Sequence, residues 1–274
     1  MHQMHAQHAT TPRHTARIAA AFVALAAAAS LMGCGDKPPA TAVFVLFDLT
    51  GCVKDPAIQK RYESGFEQIV ATLWNEKDPT RGVKKGAVVM GDKITHNTMA
   101  TASYPITATL PAFGMMKAQA KVEDEIKAAT KALGEQAKAL LGEKTEQPNT
   151  DLMNAFQLAD KVFNGEECSA APQKLLVVFS DMIEQSGRYD FSGIPLDDEA
   201  VQKIIAKERE GMRLPKLDGV KVWVAGATAS TGAGLSSDRI LQIQSFWLAY
   251  FKACGADLTK ERYAPTLLGF SIAE

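Results

Sequence analysis

Two stretches of this chain are apolar at almost every position and then stop on an acid: "AVFVLFD" at residues 42–48 and "KLLVVFSD" at 174–181. Successive side chains of a strand point to opposite faces, so a half-covered strand alternates apolar with polar residues. An unbroken apolar run predicts a strand buried on both faces, the habit of parallel sheets covered by helices on either side. "GVKVWVAGA" at 219–227 is a third run of this kind. "GAVVMGDKITH" and "ASYPITATLPAF" predict two further strands, with Gly91 and Asp92 marking a turn or hairpin and Pro105 and Pro111 pushing the second strand to a sheet edge. The closing "APTLLGFSI" predicts another edge strand.

Helical spacing fills the gaps between these runs. Residues 56–76 set Ile58, Tyr62, Phe66, Ile69, Val70 and Leu73 on one face, with Pro56 suited to a first turn. Residues 116–142 carry Val122, Ile126, Ala129, Leu133, Ala137 and Leu140 on one stripe of an Ala-, Lys- and Glu-rich segment, a helical insertion at about 116–147 laid on the sheet. Further helices are predicted over 149–163, capped by Asn149 or Thr150, over 196–211, stopped by Gly211, and over 236–255, begun by Ser237 or Asp238 and ended by Gly255. Alternation of helices with buried strands predicts an α/β fold, doubly wound, with a mostly parallel central sheet and helices on both faces. Such sheets bind ligands at the carboxyl ends of their strands, and both Asp48 and Asp181 fall there.

The first 33 residues stand apart. Arg13 and Arg17 precede the small, apolar run 18–33, the layout of an export signal, and the run is shorter than the ~20 residues of a spanning helix. Leu31, Met32, Gly33 and Cys34 resemble a bacterial lipobox, which implies cleavage, lipidation of Cys34 and anchoring on the extracytoplasmic side of the cell envelope. Residues 34–41 then form a tether stiffened by Pro38 and Pro39, and 42–274 the folded domain. Four of the five histidines lie in the signal, so the His-rich start is no metal site, and a formal charge of −1 is too balanced for nucleic-acid binding.

"DLTGC" at 48–52, "NTDLMNAF" at 149–156 and "LLVVFSD" at 175–181 together resemble the von Willebrand factor type A domain. That family builds a metal-ion-dependent adhesion site from Asp-x-Ser/Thr-x-Ser after its first strand, a Thr on a later loop and an Asp after its fourth strand. The resemblance implies that Asp48, Thr50, Cys52, Thr150 and Asp181 hold Mg²⁺ or Mn²⁺, and that a partner protein offers an Asp or Glu to the open coordination position. A hard cation of this kind takes oxygen ligands and keeps several waters. Cys52 stands where the family has serine, and a thiol is a soft ligand. Three outcomes stay open: a magnesium site completed by water, a degenerate domain that binds partners without metal, or a thiol that pairs or reacts in an oxidising compartment. With Cys34 set aside, Cys168 and Cys254, both near helix ends, are candidates for a disulfide that leaves Cys52 free.

The expectation is a binding module without turnover. "FDLTG" is also similar to the "FDxDG" start of haloacid-dehalogenase phosphatases, but Thr50 replaces the second acid. His96 is the sole histidine after the signal and no Gly-x-Ser-x-Gly elbow or P-loop is present, which counts against a Ser–His hydrolase or a nucleotide triphosphatase. A metal-independent assembly lipoprotein is the remaining alternative.

Overall fold

The computed structural model describes residues 39–50, 55–74, 83, 85–113, 118–143, 149–227 and 234–272. Cys34, Cys52, the signal and most of the tether lie outside the described residues. Strand β1 (Thr41–Asp48) is buried at every position, as its unbroken apolar run requires. Helix α1 (Pro56–Leu73) follows it, capped by Asp55, whose side chain accepts from the Ala57 N–H. Then come β2 (Lys85–Ile94), the short α2 (Thr98–Thr101), β3 (Ile106–Ala112), α3 (Gln119–Leu141) and α4 (Leu152–Phe163). The chain continues through β4 (Gln173–Phe179), α5 (Asp198–Glu210), β5 (Lys221–Ala225), α6 (Ser237–Ala253), a short 3₁₀ turn and β6 (Tyr263–Ala264).

The six strands form one sheet in the order β3-β2-β1-β4-β5-β6. β1 runs parallel to β2 and β4, β4 to β5, and β5 to β6, while β3 is antiparallel at the edge. The fold is therefore doubly wound α/β, and Pro111 sits in the edge strand, where a missing N–H costs no ladder bond. Gly91 and Asp92 lie inside β2 rather than in a turn. A Cβ at Gly91 would stand 3.0 Å from the Val45 carbonyl oxygen, and the Asp92 carboxylate accepts from the Ser103 and Tyr104 N–H groups to hold the link to β3.

Alternation along the strands divides the core in two. Phe44 and Leu46 of β1, Leu176 and Val178 of β4, and Val222 and Val224 of β5 face α4, α5 and α6. Val43, Val45 and Phe47, with Leu175, Val177 and Phe179, face α1 and α3. Phe47 stacks on Phe179 at 4.9 Å, and each fully buried side chain of this size contributes about 1.5–3 kcal/mol. The helix expected as an insertion is an integral part of this second layer: α3 buries Val122, Ile126, Leu133, Ala137 and Leu140 and packs on β3 and α1.

Three expectations are corrected. The closing segment adds no strand beyond Pro265; the edge strand is Tyr263–Ala264, and Leu267 and Phe270 instead cover the α1 face, with Phe270 edge-on to Trp223 at 5.2 Å. Cys168 and Cys254 are buried free thiols. They sit in different surroundings, Cys168 among Glu167 and Lys174, Cys254 at the end of α6 among Asp160, Arg209 and Asp218. The cap of α4 is Asp151, and that of α6 is Ser236. Among the described residues no helix is long and apolar enough to cross a membrane.

Candidate functional site

The sheet order reverses between β1 and β4, and both strands end on the same rim. At such a reversal the connections leave in opposite directions and open a crevice. Asp48 is the last residue of β1 and has no exposed surface. Its Oδ1 accepts from the Thr50 N–H at 3.0 Å and the Thr50 hydroxyl at 2.6 Å, and its Oδ2 accepts from the Ser180 hydroxyl at 2.8 Å. Burial pushes the Asp48 carboxyl pKa above its ordinary range, and the hydrogen bonds from Thr50 and Ser180 oppose that shift.

Thr150 comes to the same point from a hundred residues further along: its hydroxyl is hydrogen-bonded to that of Thr50. A hydroxyl carries one proton, and Thr50 gives its own to Asp48, so Thr150 donates to Thr50. Thr150 is fixed by a two-way backbone bridge with Gln185, N–H to carbonyl at 3.1 and 2.9 Å. Asp151 then starts α4 by accepting from the Asn154 N–H at 3.0 Å. Glu184, fully buried, accepts from the Leu152 N–H at 2.7 Å and the Met153 N–H at 3.2 Å, which satisfies the open donors of the first turn. Burial pushes its carboxyl pKa up to about 8.

On the β4 side, Ser180 donates its N–H to the Ala225 carbonyl and accepts at Oγ from Met182. Gly226 has φ +109, and a Cβ there would stand 2.8 Å from the Ser180 carbonyl oxygen, so glycine is required for β5 to pass this close. Asp181 accepts at Oδ1 from the Ile183 N–H at 3.0 Å and lines a small crevice with Ala227, Leu235 and Tyr263. Burial, and then the Asp181 charge, raise the Tyr263 hydroxyl pKa. Met182 holds φ +66, and its carbonyl accepts from the Trp247 indole at 2.8 Å, which locks the turn after Asp181.

The sequence-derived residues Asp48, Thr50 and Thr150 thus form a chain, Thr50 touching both of the others, and Asp181 follows Ser180, the residue that bonds Asp48, while its own side chain lines the neighbouring crevice. Cys52 lies outside the described residues. Ser180, Glu184 and Gln185 are not in the metal-ligand set that the resemblance implies; "SDMIEQSG" offers Glu184 beside Asp181 only as an acid for the phosphatase alternative. Ser180 had a signal, as the hydroxyl before the acid in "LLVVFSD", whereas the parts played by Glu184 and Gln185 arise only from the meeting of two loops.

The donors that converge are one carboxylate and three hydroxyls, and among the described residues no three His, Cys, Asp or Glu side chains group as a metal site. Hard oxygen donors suit Mg²⁺ or Mn²⁺ and do not suit zinc or copper. Among the described residues no cationic side chain pairs with Asp48, so a divalent ion would compensate a charge that burial disfavours. The described residues fit such an ion.

No protein-family model matches the chain, and no curated protein matches it. Among solved structures it is similar to the pilus adhesin SpaC from Lactobacillus rhamnosus GG in its open conformation, at 11% identity and a TM-score of 0.31. That match covers 55% of this chain and 15% of the adhesin chain.

Proposed function

We propose that the chain is an extracytoplasmic, lipid-anchored protein-binding module of the von Willebrand type A kind, without catalytic turnover. Asp48, Thr50, Thr150 and Asp181, with Cys52 beside them in sequence, hold a Mg²⁺-type ion and receive an Asp or Glu of a partner protein. The observation that carries this reading is the hydrogen-bonded chain Asp48–Thr50–Thr150 at the carboxyl ends of β1 and β4, three residues chosen from two separate motifs. Once bound, the ion supplies a coordination position open to a carboxylate. The chain's own residues orient the hydroxyls, exclude bulk water from Asp48 and hold its charge. A phosphatase reading is weakened by the same contacts: Thr50 stands where that chemistry needs a second acid, and its proton is already given to Asp48.

A metal-independent assembly module is the second reading, favoured by one observation: Asp48 already accepts three hydrogen bonds without an ion. Calorimetric titration of Mg²⁺ and Mn²⁺ into the metal-stripped full-length protein separates the two. The first reading expects saturable binding that disappears in Asp48→Asn and tightens in Cys52→Ser, where a hard oxygen replaces the thiol. No heat from the parent protein at millimolar metal leaves the metal-independent module.

A further inference from the structure

The amino-terminal rim of the sheet, at the other end of β1 from Asp48, carries a cluster of cations that the proposed metal site does not use. Lys85 opens β2, Lys174 is the second residue of β4 and Lys221 opens β5. With Ala40, Thr41 and Gln173 they line a depression of about 340 Å³. Lys85 and Lys221 are exposed, and among the described residues none of the three ammonium groups has a salt-bridge partner. Among the described residues no acid lines the depression. Glu167, which with Lys174 acts on Cys168, and Asp218, next to Gly219, flank it, and Asp257, bridged to Lys221 through the backbone, is already held by Arg262 at 2.8 Å.

Strand geometry keeps the three charges apart. In the order β2-β1-β4-β5, Lys85 and Lys221 stand three strands from each other, ~14 Å at the usual spacing. Alternation turns Lys85 and Lys221 to the α1 side, as it turns Ala87 and Trp223, and Lys174 to the α4 side with Leu176. Charges spread in this way do not enclose a single phosphate. They suit a plane of anionic groups.

The chain enters the domain at this same rim. Ala40 donates its N–H to the Gly86 carbonyl at 3.1 Å, and its carbonyl accepts from the Gln173 N–H at 3.2 Å, which fixes it between β2 and β4. Cys34 precedes Ala40 by six residues, a length that spans at most ~20 Å. A lipid on Cys34 therefore keeps the rim near a bilayer, yet lets it stand farther off than the ~8–10 Å over which charges act at physiological salt. The lysines decide whether it rests on the surface. Asp48 lies seven residues along β1, ~23 Å away, on the side turned from the membrane.

We propose that this rim is a membrane-docking face on which Lys85, Lys174 and Lys221 meet the phosphates of anionic phospholipids and point the Asp48 crevice outward. The proposal rests on the lipid-anchored reading of Cys34. Three lysines alone attract a bilayer weakly, and the anchor supplies the local concentration that makes them effective.

The test uses the full chain after processing, with the lipid on Cys34 checked by mass spectrometry, in vesicles of phosphatidylcholine alone or of equal parts phosphatidylcholine and phosphatidylglycerol. An amine-reactive reagent labels the lysines, and each rate is measured relative to Lys131 of α3 and Lys203 of α5, both largely exposed. Lys85, Lys174 and Lys221 are expected to label about fivefold more slowly in the phosphatidylglycerol vesicles, and high salt removes the difference. In the Lys85→Gln/Lys221→Gln protein, Lys174 regains most of the lost rate. Equal labelling in the two kinds of vesicle, with lipid present on Cys34, overturns the docking face and leaves the anchor standing. So does a Lys174 that labels as slowly in the double variant as in the parent. An unmodified Cys34 overturns both readings.

Discussion

Replacing Glu184 by Gln flattens the pH dependence of stability across the neutral range. The carboxylate is fully buried and its oxygen accepts the Leu152 and Met153 N–H groups; burial, with the nearby Asp151 charge, raises its pKa from 4.5 to about 8. A carboxyl raised in the folded state binds its proton more tightly there than in the unfolded chain. Its contribution to stability is therefore complete below pH 4.5 and is lost as pH rises through about 8. Each unit of difference is worth ~1.4 kcal/mol, so between about pH 5 and about pH 8.5 the parent loses roughly 4 kcal/mol from this one group. Gln keeps an acceptor for both N–H groups and carries no charge, so that loss vanishes. Urea unfolding of both proteins at several pH values reads the difference directly. The same fall with pH in parent and variant, or a Glu184→Gln protein less stable than the parent at about pH 8.5, refutes the reasoning.

Thr50→Ala removes the donor to Asp48 and the acceptor for Thr150, and leaves buried groups short of partners. The expected cost is about 1–3 kcal/mol by calorimetry, most of it restored in Thr50→Ser. Gly65→Ala in α1 looks stabilising by helix preference, which offers up to about 1 kcal/mol. A Cβ there would stand 2.5 Å from Phe179 Cε1, so a net loss of about 1–3 kcal/mol is expected, and a raised Tm would contradict it.

The strands were legible because burial on both faces leaves a mark that no local effect imitates: β1, β4 and β5 each fall within two residues of their apolar runs. Asp48, Thr50 and Thr150 are legible because they lie in two short motifs, "DLTGC" and "NTDLMNAF". The start of α4 differs from the expectation for a physical reason. Local preference allowed Asn149 or Thr150 as the cap, but the bridge to Gln185 pins the Thr150 backbone outside the helix. Capping then passes to Asp151, and the Thr150 hydroxyl is left to meet Thr50 instead of the helix backbone. The capping role of Glu184 has no sequence signal, since its partners are N–H groups some thirty residues earlier in the chain. The Cys168–Cys254 pairing fails although α4 and α6 are neighbours, with Phe156 packed on Phe251: both thiols are free, because neighbouring helices do not by themselves bring two sulfurs together.

The division of the core has a consequence for the candidate site. Thr150 and Glu184 belong to the layer of α4, packed on Phe44, Leu46 and Val178, whereas α1 and α3 form the other layer, packed on Val45, Phe47 and Phe179. Alternate residues of one strand serve opposite layers, yet the layer of α1 also reaches the rim directly, where Tyr62 lies beside Gly226 and Leu49 follows Asp48. β1 is hydrogen-bonded on both sides over nearly its whole length, by β2 and by β4, which makes it one of the least compliant parts of the sheet. Packed interiors transmit force only where an element has two arrangements to choose between, and a central strand held on both edges has one.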